Sequence, residues 1–206
     1  MIATYLQLGQ TILMRFIKHF KPLIGALLIV VIFQATGFMG TVSYYAQSAA
    51  LFSGLLNADI EELTSPKKFN YDFIIKDLAG NKIKFDQFKG KVIFLNLWAT
   101  WCAPCRAEMA DIQNLQLKIK NDNVVFIMLS LDEDKNKAKV ENYIHNKNFT
   151  FPVFMPSGYL PEQLQVPSIP TTFVISKDGN IIMMEVGTKN YDTKKFKKFL
   201  EEKAND

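Results

Sequence analysis

The longest uninterrupted apolar stretch lies near the start of the chain. Leu23 to Phe33 reads LIGALLIVVIF, and from Pro22 to Ala58 there is no Asp, Glu, Lys or Arg. A bilayer core of ~30 Å takes about 20 mostly apolar helical residues, and residues 22–41 supply that length. Arg15, Lys18 and Lys21 stand just before it. The positive-inside rule keeps that cluster cytoplasmic and so puts the C-terminal bulk outside the cytoplasm. Small residues at Ala46, Ser48 and Ala50 resemble a peptidase site. They lie well beyond the apolar run, which argues for an uncleaved anchor. Met14, followed by Arg15-Phe16-Ile17-Lys18, looks like a natural start and would make 1–13 an extension. Tyr44 and Tyr45 fall where an interfacial aromatic belt belongs. The expected organisation is a cationic N-region over 1–21, a transmembrane anchor over 22–41, an apolar juxtamembrane linker over 42–65 and a folded domain over 66–206.

Beyond residue 66 the apolar periodicity changes from element to element. Residues 71–76 and 82–85 flank Asp77-Leu78-Ala79-Gly80-Asn81, which predicts a hairpin. Residues 92–97 (VIFLNL) and 124–129 (VVFIML) are continuous apolar runs of strand length, the mark of strands buried on both faces. Met109, Ile112, Leu115 and Ile119 recur at helical spacing over 103–120, and Ala138, Val140, Tyr143 and Ile144 predict a second helix over 135–146. Residues 171–176 and 180–185 flank Lys177-Asp178-Gly179, a second hairpin. Phe196, Phe199 and Leu200 predict a closing helix over 193–203. Strand–helix–strand order implies parallel pairing through right-handed crossovers, and hence a layered α/β fold.

Charge and composition then narrow the function. The 206 residues carry a net charge of +4, three units of which belong to Arg15, Lys18 and Lys21. A nearly neutral folded domain is a poor match to nucleic acid, which calls for a basic one. The lysines from 189 to 198 read as the solvated face of the last helix. Two cysteines make neither a disulfide framework nor a four-cysteine zinc site, and His19 and His145 alone make no multi-histidine centre. No metal and no separate cofactor are expected.

Both cysteines lie in Trp101-Cys102-Ala103-Pro104-Cys105, at the seam between the strand over 92–97 and the following helix. The first helical turn has unpaired N–H groups and the positive dipole end, which stabilise a thiolate. A second thiol three residues on can resolve a mixed disulfide intramolecularly. Pro104 lacks a donor N–H and suits the first turn. A purely structural disulfide closing so small a loop gains little chain entropy, and a zinc site would need further ligands. Strand–CxxC–helix in an α/β pattern is the context in which the motif reads as redox-active.

Residues 94–108 (FLNLWATWCAPCRAE) and 166–173 (VPSIPTTF) resemble the corresponding stretches of thioredoxin-fold proteins, specifically the membrane-anchored TlpA/ResA-like thiol–disulfide oxidoreductases. The resemblance covers roughly 69–203. It implies a thioredoxin-like α/β fold, with a central mixed sheet flanked by helices and an N-terminal β-hairpin extension, preceded by one transmembrane helix. It implies Cys102 as nucleophile and Cys105 as resolving thiol. Trp101, Ala103, Pro104, Ile169, Pro170 and Thr171 would support the substrate, with Pro170 cis and facing the cysteines. Implied partners are disulfide-containing extracytoplasmic proteins and a membrane electron-transfer partner that returns the dithiol to its reduced form. The expected location is the cell membrane, single-pass, with the catalytic domain on the periplasmic side.

Departures from the pattern carry information as well. Asn96 stands where cytoplasmic thioredoxins have a buried aspartate, so no proton acceptor for Cys105 is identifiable. Ala103 stands where some heme-pathway members have a glutamate, and Ala110 where the family often has a helix-kinking proline. Two other functions compete with a disulfide reductant. A thiol peroxidase would want Pro and Thr where Leu95 and Ala99 stand. A non-enzymatic copper-delivery or holdase module would use the fold as a binding surface; the copper-delivery relatives have CxxxC spacing, which is lacking here, and His145 reads as a surface or packing residue.

Overall fold

The computed structural model describes residues 38–206. The chain divides into a unit Met1–Val42 and a compact unit Ser43–Asp206. Most of the expected transmembrane anchor, residues 22–37, lies outside the described residues. Among the described residues no helix is long and apolar enough to cross a membrane.

Helix α1 (Phe38–Phe52) runs into the compact unit, and a sheet–helix body follows. Its elements are β1 (Lys67–Lys68), β2 (Ile74–Asp77), β3 (Lys82–Lys84), β4 (Val92–Trp98), α2 (Ala103–Lys118), β5 (Val124–Ser130), α3 (Lys137–Asn146), β6 (Val153–Pro156), β7 (Thr171–Ile175), β8 (Asn180–Val186) and α4 (Lys194–Asn205). The strands form one mixed sheet in the order β1-β8-β7-β4-β5-β6-β2-β3. Strands β4, β5 and β6 run parallel, joined by crossovers through α2 and α3. Strands β7 and β8 add antiparallel on one side, and β2 and β3 on the other.

The continuous apolar run of β4 is explained by its neighbours, since all seven of its residues are buried. Side chains alternate across a strand. Val92, Phe94 and Trp98 join Met109, Ile112 and Leu115 of α2 and Phe196, Phe199 and Leu200 of α4. Ile93, Leu95 and Leu97 join Phe69, Tyr71, Phe73 and Phe85 on the opposite face. That second layer is an aromatic cluster, with Phe73 stacked on Phe85 at 4.4 Å between ring centroids. Helices α2, α3 and α4 therefore back one face of the sheet, and the N-terminal hairpin region backs the other.

Both predicted hairpins form. In the second, Gly179 has φ 76° at the turn, and a Cβ there would stand 3.2 Å from Tyr71 Cε2. Its glycine is required both by the backbone and by the aromatic layer. Two strands have no counterpart in the sequence expectation. β6 is a short run between Pro152 and Pro156, and proline argues against a strand. Here Pro152 contributes its carbonyl to Met128 N at 3.1 Å, and Val153–Pro156 pair with β5 and β2. β1 is only a two-residue edge pair with β8. The predicted helix over 135–146 begins as a 3-10 turn, Asp134–Asn136, before α3.

The segment 42–65 differs from the linker expected of it. It is helical to Phe52, Leu51 and Ala58 are buried, and its backbone pairs with the far end of the chain. Ala58 N donates to Asn190 O at 2.9 Å, Asn190 N to Leu56 O at 2.7 Å, and Leu63 N to Ile182 O at 2.9 Å. The compact unit thus begins at Ser43 and not near residue 66. Hydropathy shows the apolar character of this stretch but not its hydrogen-bond partners.

Candidate active site

The site grows from the C-terminal end of β4. After Trp98 the chain turns through Ala99-Thr100-Trp101, and Asp132, just beyond β5, holds that turn. Asp132 Oδ2 accepts from Thr100 N at 2.8 Å and from Ser130 Oγ at 2.8 Å, and Oδ1 accepts from Thr100 Oγ1 at 2.6 Å. Leu131 N adds a bond to Trp98 O at 2.8 Å. Asp132 is buried, so a full set of donors is what makes its burial tolerable. No motif in the sequence singles this residue out.

Cys102 is the N-cap of α2, with extended backbone, and its Sγ accepts from Cys105 N at 3.2 Å. Pro104 occupies the first turn. Cys102 and Cys105 form a disulfide. Cys105 is fully buried and Cys102 slightly exposed, so Cys102 is the outer of the two. Ile169 O stands 3.7 Å from Cys102 Sγ, which places this segment beside the pair. The Ile169–Pro170 bond is cis. Pro170 O accepts from Gly187 N at 2.8 Å. Thr171 is fully buried and its hydroxyl donates to Ser168 O at 2.7 Å, so its side chain is turned into the protein.

Next to Cys102 opens a cavity of ≈570 Å³ whose walls include Trp101, Leu131, Leu160, Leu164, Val166 and Ile169. Trp101 is 67% exposed, unusual for so large an apolar side chain. Ala103 and Pro104 lie in the first turn of α2. His145 is exposed at the far end of α3. Among the described residues no group of three or more His, Cys, Asp or Glu side chains could hold a metal ion.

One helical turn beyond Cys105, on the same buried stripe of α2, is Glu108. It is fully buried, and its Oε1 accepts from Asn96 Nδ2 at 2.8 Å while Oε2 accepts from Lys189 N at 3.0 Å. Asn96 also donates to Thr172 Oγ1 at 2.9 Å, across the register pair that joins β4 to β7. Burial pushes the Glu108 carboxyl up to about 8, against the lowering effect of the Lys189 and Asn96 bonds, and Asp111 raises it slightly more. The acid is absent from the strand and present on the helix facing it. An acid in the first turns of a helix reads in sequence as solvent-exposed, whereas here β4 and the loop after β8 together enclose it.

Comparison with known proteins follows the same lines. The Redoxin family model matches residues 65–200. Thiol-disulfide oxidoreductase ResA of Bacillus thuringiensis subsp. konkukian (strain 97-27) is 39% identical over 112 residues, covering 54% of this chain and 64% of that protein, a little under two thirds of its length. Its counterpart in Bacillus anthracis is 36% identical over 138 residues, covering 66% and 78%. Among solved structures, a thioredoxin-family thiol:disulfide interchange protein from Chlorobium tepidum TLS superposes with a TM-score of 0.54 at 25% identity, over 71% of this chain and 99% of that one. StoA from Bacillus subtilis does so with a TM-score of 0.51 at 27% identity, over 64% and 94%. The architecture described above is thus a thioredoxin-like fold.

Proposed function

This chain belongs to the redoxin family, and from that premise we propose that it is a thiol–disulfide oxidoreductase, acting outside the cytoplasm from a membrane anchor and serving mainly to reduce substrate disulfides. The observation that carries the chemistry is the cysteine pair across the first turn of α2, with Cys102 outermost and Cys105 behind it. The helix terminus favours negative charge on Cys102, and the thiolate is the attacking species.

In the reduced enzyme, Cys102 thiolate attacks one sulfur of a substrate disulfide. A mixed disulfide forms and the other substrate sulfur leaves as a thiolate. Cys105 then gives its proton to Glu108 in its carboxylate form, attacks Cys102 Sγ and expels the second substrate thiolate. The substrate has gained two electrons, and Cys102–Cys105 is left oxidised. A carboxyl raised to about 8 changes its protonation within reach of neutral pH, and general acid–base groups work best with a pKa near the operating pH. A membrane electron-transfer partner of the dithiol class restores the pair. The cavity beside Cys102, with Trp101 as one wall, suits an extended substrate segment carrying an apolar side chain near its cysteine.

Support for the location comes from the uncharged stretch over 22–41 behind a cationic cluster. Support for the reducing direction is that Ala103-Pro104 places no cation between the cysteines. Thioredoxin lies near about −270 mV and strong oxidants near about −120 mV. The test is the chain's own potential together with two variants. Cys102→Ser should abolish insulin disulfide reduction, and Cys105→Ser should accumulate reductant-sensitive covalent adducts. A potential at the oxidising end would overturn the direction, and retained activity in Cys102→Ser would overturn the nucleophile.

A further inference from the structure

The residues just ahead of the family match make contacts with the redox site that the reading above does not use. On α1, Gln47 Nε2 donates to Ser43 Oγ at 2.9 Å, which fixes the amide so that its Oε1 faces Thr188. The Thr188 hydroxyl donates to that Oε1 and lies 3.4 Å from the Pro104 carbonyl, between the two cysteines. Tyr44 offers its ring to the Arg106 guanidinium at 5.8 Å, one residue past Cys105. Further along the same segment, Leu56 O and Ala58 N clasp the Asn190 backbone from both sides.

Thr188 and Asn190 flank Lys189, whose N–H is the hydrogen bond on Glu108 Oε2. The preceding residue, Gly187, has φ 93° and bonds Pro170 O. One loop of four residues therefore touches the cis-proline segment, the turn between the cysteines and the buried acid. The segment over 43–58 grips that loop on either side of its central residue.

We propose that residues 43–58 are a positioning brace of the redox site, holding the loop over 187–190 so that Lys189 N–H stays on Glu108 and water stays off it. The inference rests on the role assigned to Glu108 above. Other groups face the same carboxyl and stay constant in the test. Asp111 acts from its own helix and Tyr191 from beyond the loop, while the Lys189 ammonium is engaged with Glu185 of β8 at 3.3 Å. Asn96 of β4 and Thr172 of β7 are neutral. Cys105 is the remaining titratable neighbour, one turn away on α2.

Freeing the loop has two opposed effects on Glu108. Losing the amide donor disfavours the carboxylate, whereas admitted water favours it. Burial is the larger influence on this group, so water entry wins. The experiment uses the full chain, with insulin as substrate and a soluble dithiol as electron source, and follows the rate of disulfide reduction from pH 5 to 9. The readout is the inflection that disappears in Glu108→Gln. Gln47→Met keeps volume and removes the acceptor, and Thr188→Val keeps shape and removes the donor. Each should move the inflection down by about one pH unit, a tenfold change in the proton equilibrium. The double variant should move it no further, since both break one contact. An unmoved inflection accompanied only by lower thermal stability would overturn the brace and leave the proposed function standing. An inflection that persists in Glu108→Gln would overturn both the brace and the role of Glu108, and a wild-type chain without reductase activity would overturn the function.

Discussion

A carboxyl group taken out of water resists ionisation, and at Glu108 that resistance is only partly offset by two hydrogen bonds. The consequence for stability has a definite sign. The unfolded chain loses this proton near the usual value of 4.5, whereas the folded chain keeps it to about 8. Between those values the folded state binds the extra proton, so stability is fully present below 4.5 and falls as pH rises toward 8. Glu108→Gln should flatten that slope in urea unfolding followed at several pH values, and, on the role proposed for this acid, should slow turnover by roughly 10²-fold or more. A slope identical in wild type and variant would place the acid's proton elsewhere. At this scale the sequence was legible wherever a motif was local. Cys102, Cys105 and Pro170 sit in two short stretches whose order and spacing are specific. Glu108 and Asp132 were not legible, because each owes its environment to a chain segment far away in sequence. Glu108 needs the loop after β8, and Asp132 needs the turn after β4.

Elements were legible to the extent that their own side chains decide them. The continuous runs of β4 and β5 and the 3.6-residue stripes of α2 and α4 follow from burial on both faces and on one face respectively. β6 followed from neither, since its prolines speak against a strand and only the vacant side of β5 makes room for it. The same is true of the stretch over 42–65, whose pairing partners lie more than a hundred residues away. Helix α4 offers a clean test of local control. Its N-cap Thr193 accepts from Phe196 N at 3.1 Å, and the helix then lays Phe196, Phe199 and Leu200 on the sheet. Thr193→Ala should cost about 1 kcal/mol, which in a unit of this size lowers the melting temperature by roughly 2–4 °C. Disulfide reduction should be unchanged at 25 °C, because the cap touches no part of the site. A loss of activity at full stability would mean that α4 communicates with the cysteines.

The whole compact unit is an asymmetric sandwich around one sheet, with helices on one face and an aromatic layer on the other. Its fold class was readable from element order alone, but the second layer was not, because Phe69, Tyr71, Phe73 and Phe85 look in sequence like an ordinary hairpin. Closing neither end, the sheet leaves two outer strands, β1 at one end and β3 at the other. Each is only two or three residues long, and their sequences are Lys-Lys and Lys-Ile-Lys. Unpaired strand edges are templates on which a second molecule can add its own strand, and short edges bearing lysine are the usual protection. The two edges here have that composition and length. Replacing Lys82 and Lys84 together with valine would lengthen the attractive edge and remove two like charges that repel an approaching copy. Light scattering at rising protein concentration should then report growing assemblies, while the wild-type chain at the same concentrations keeps a constant mass.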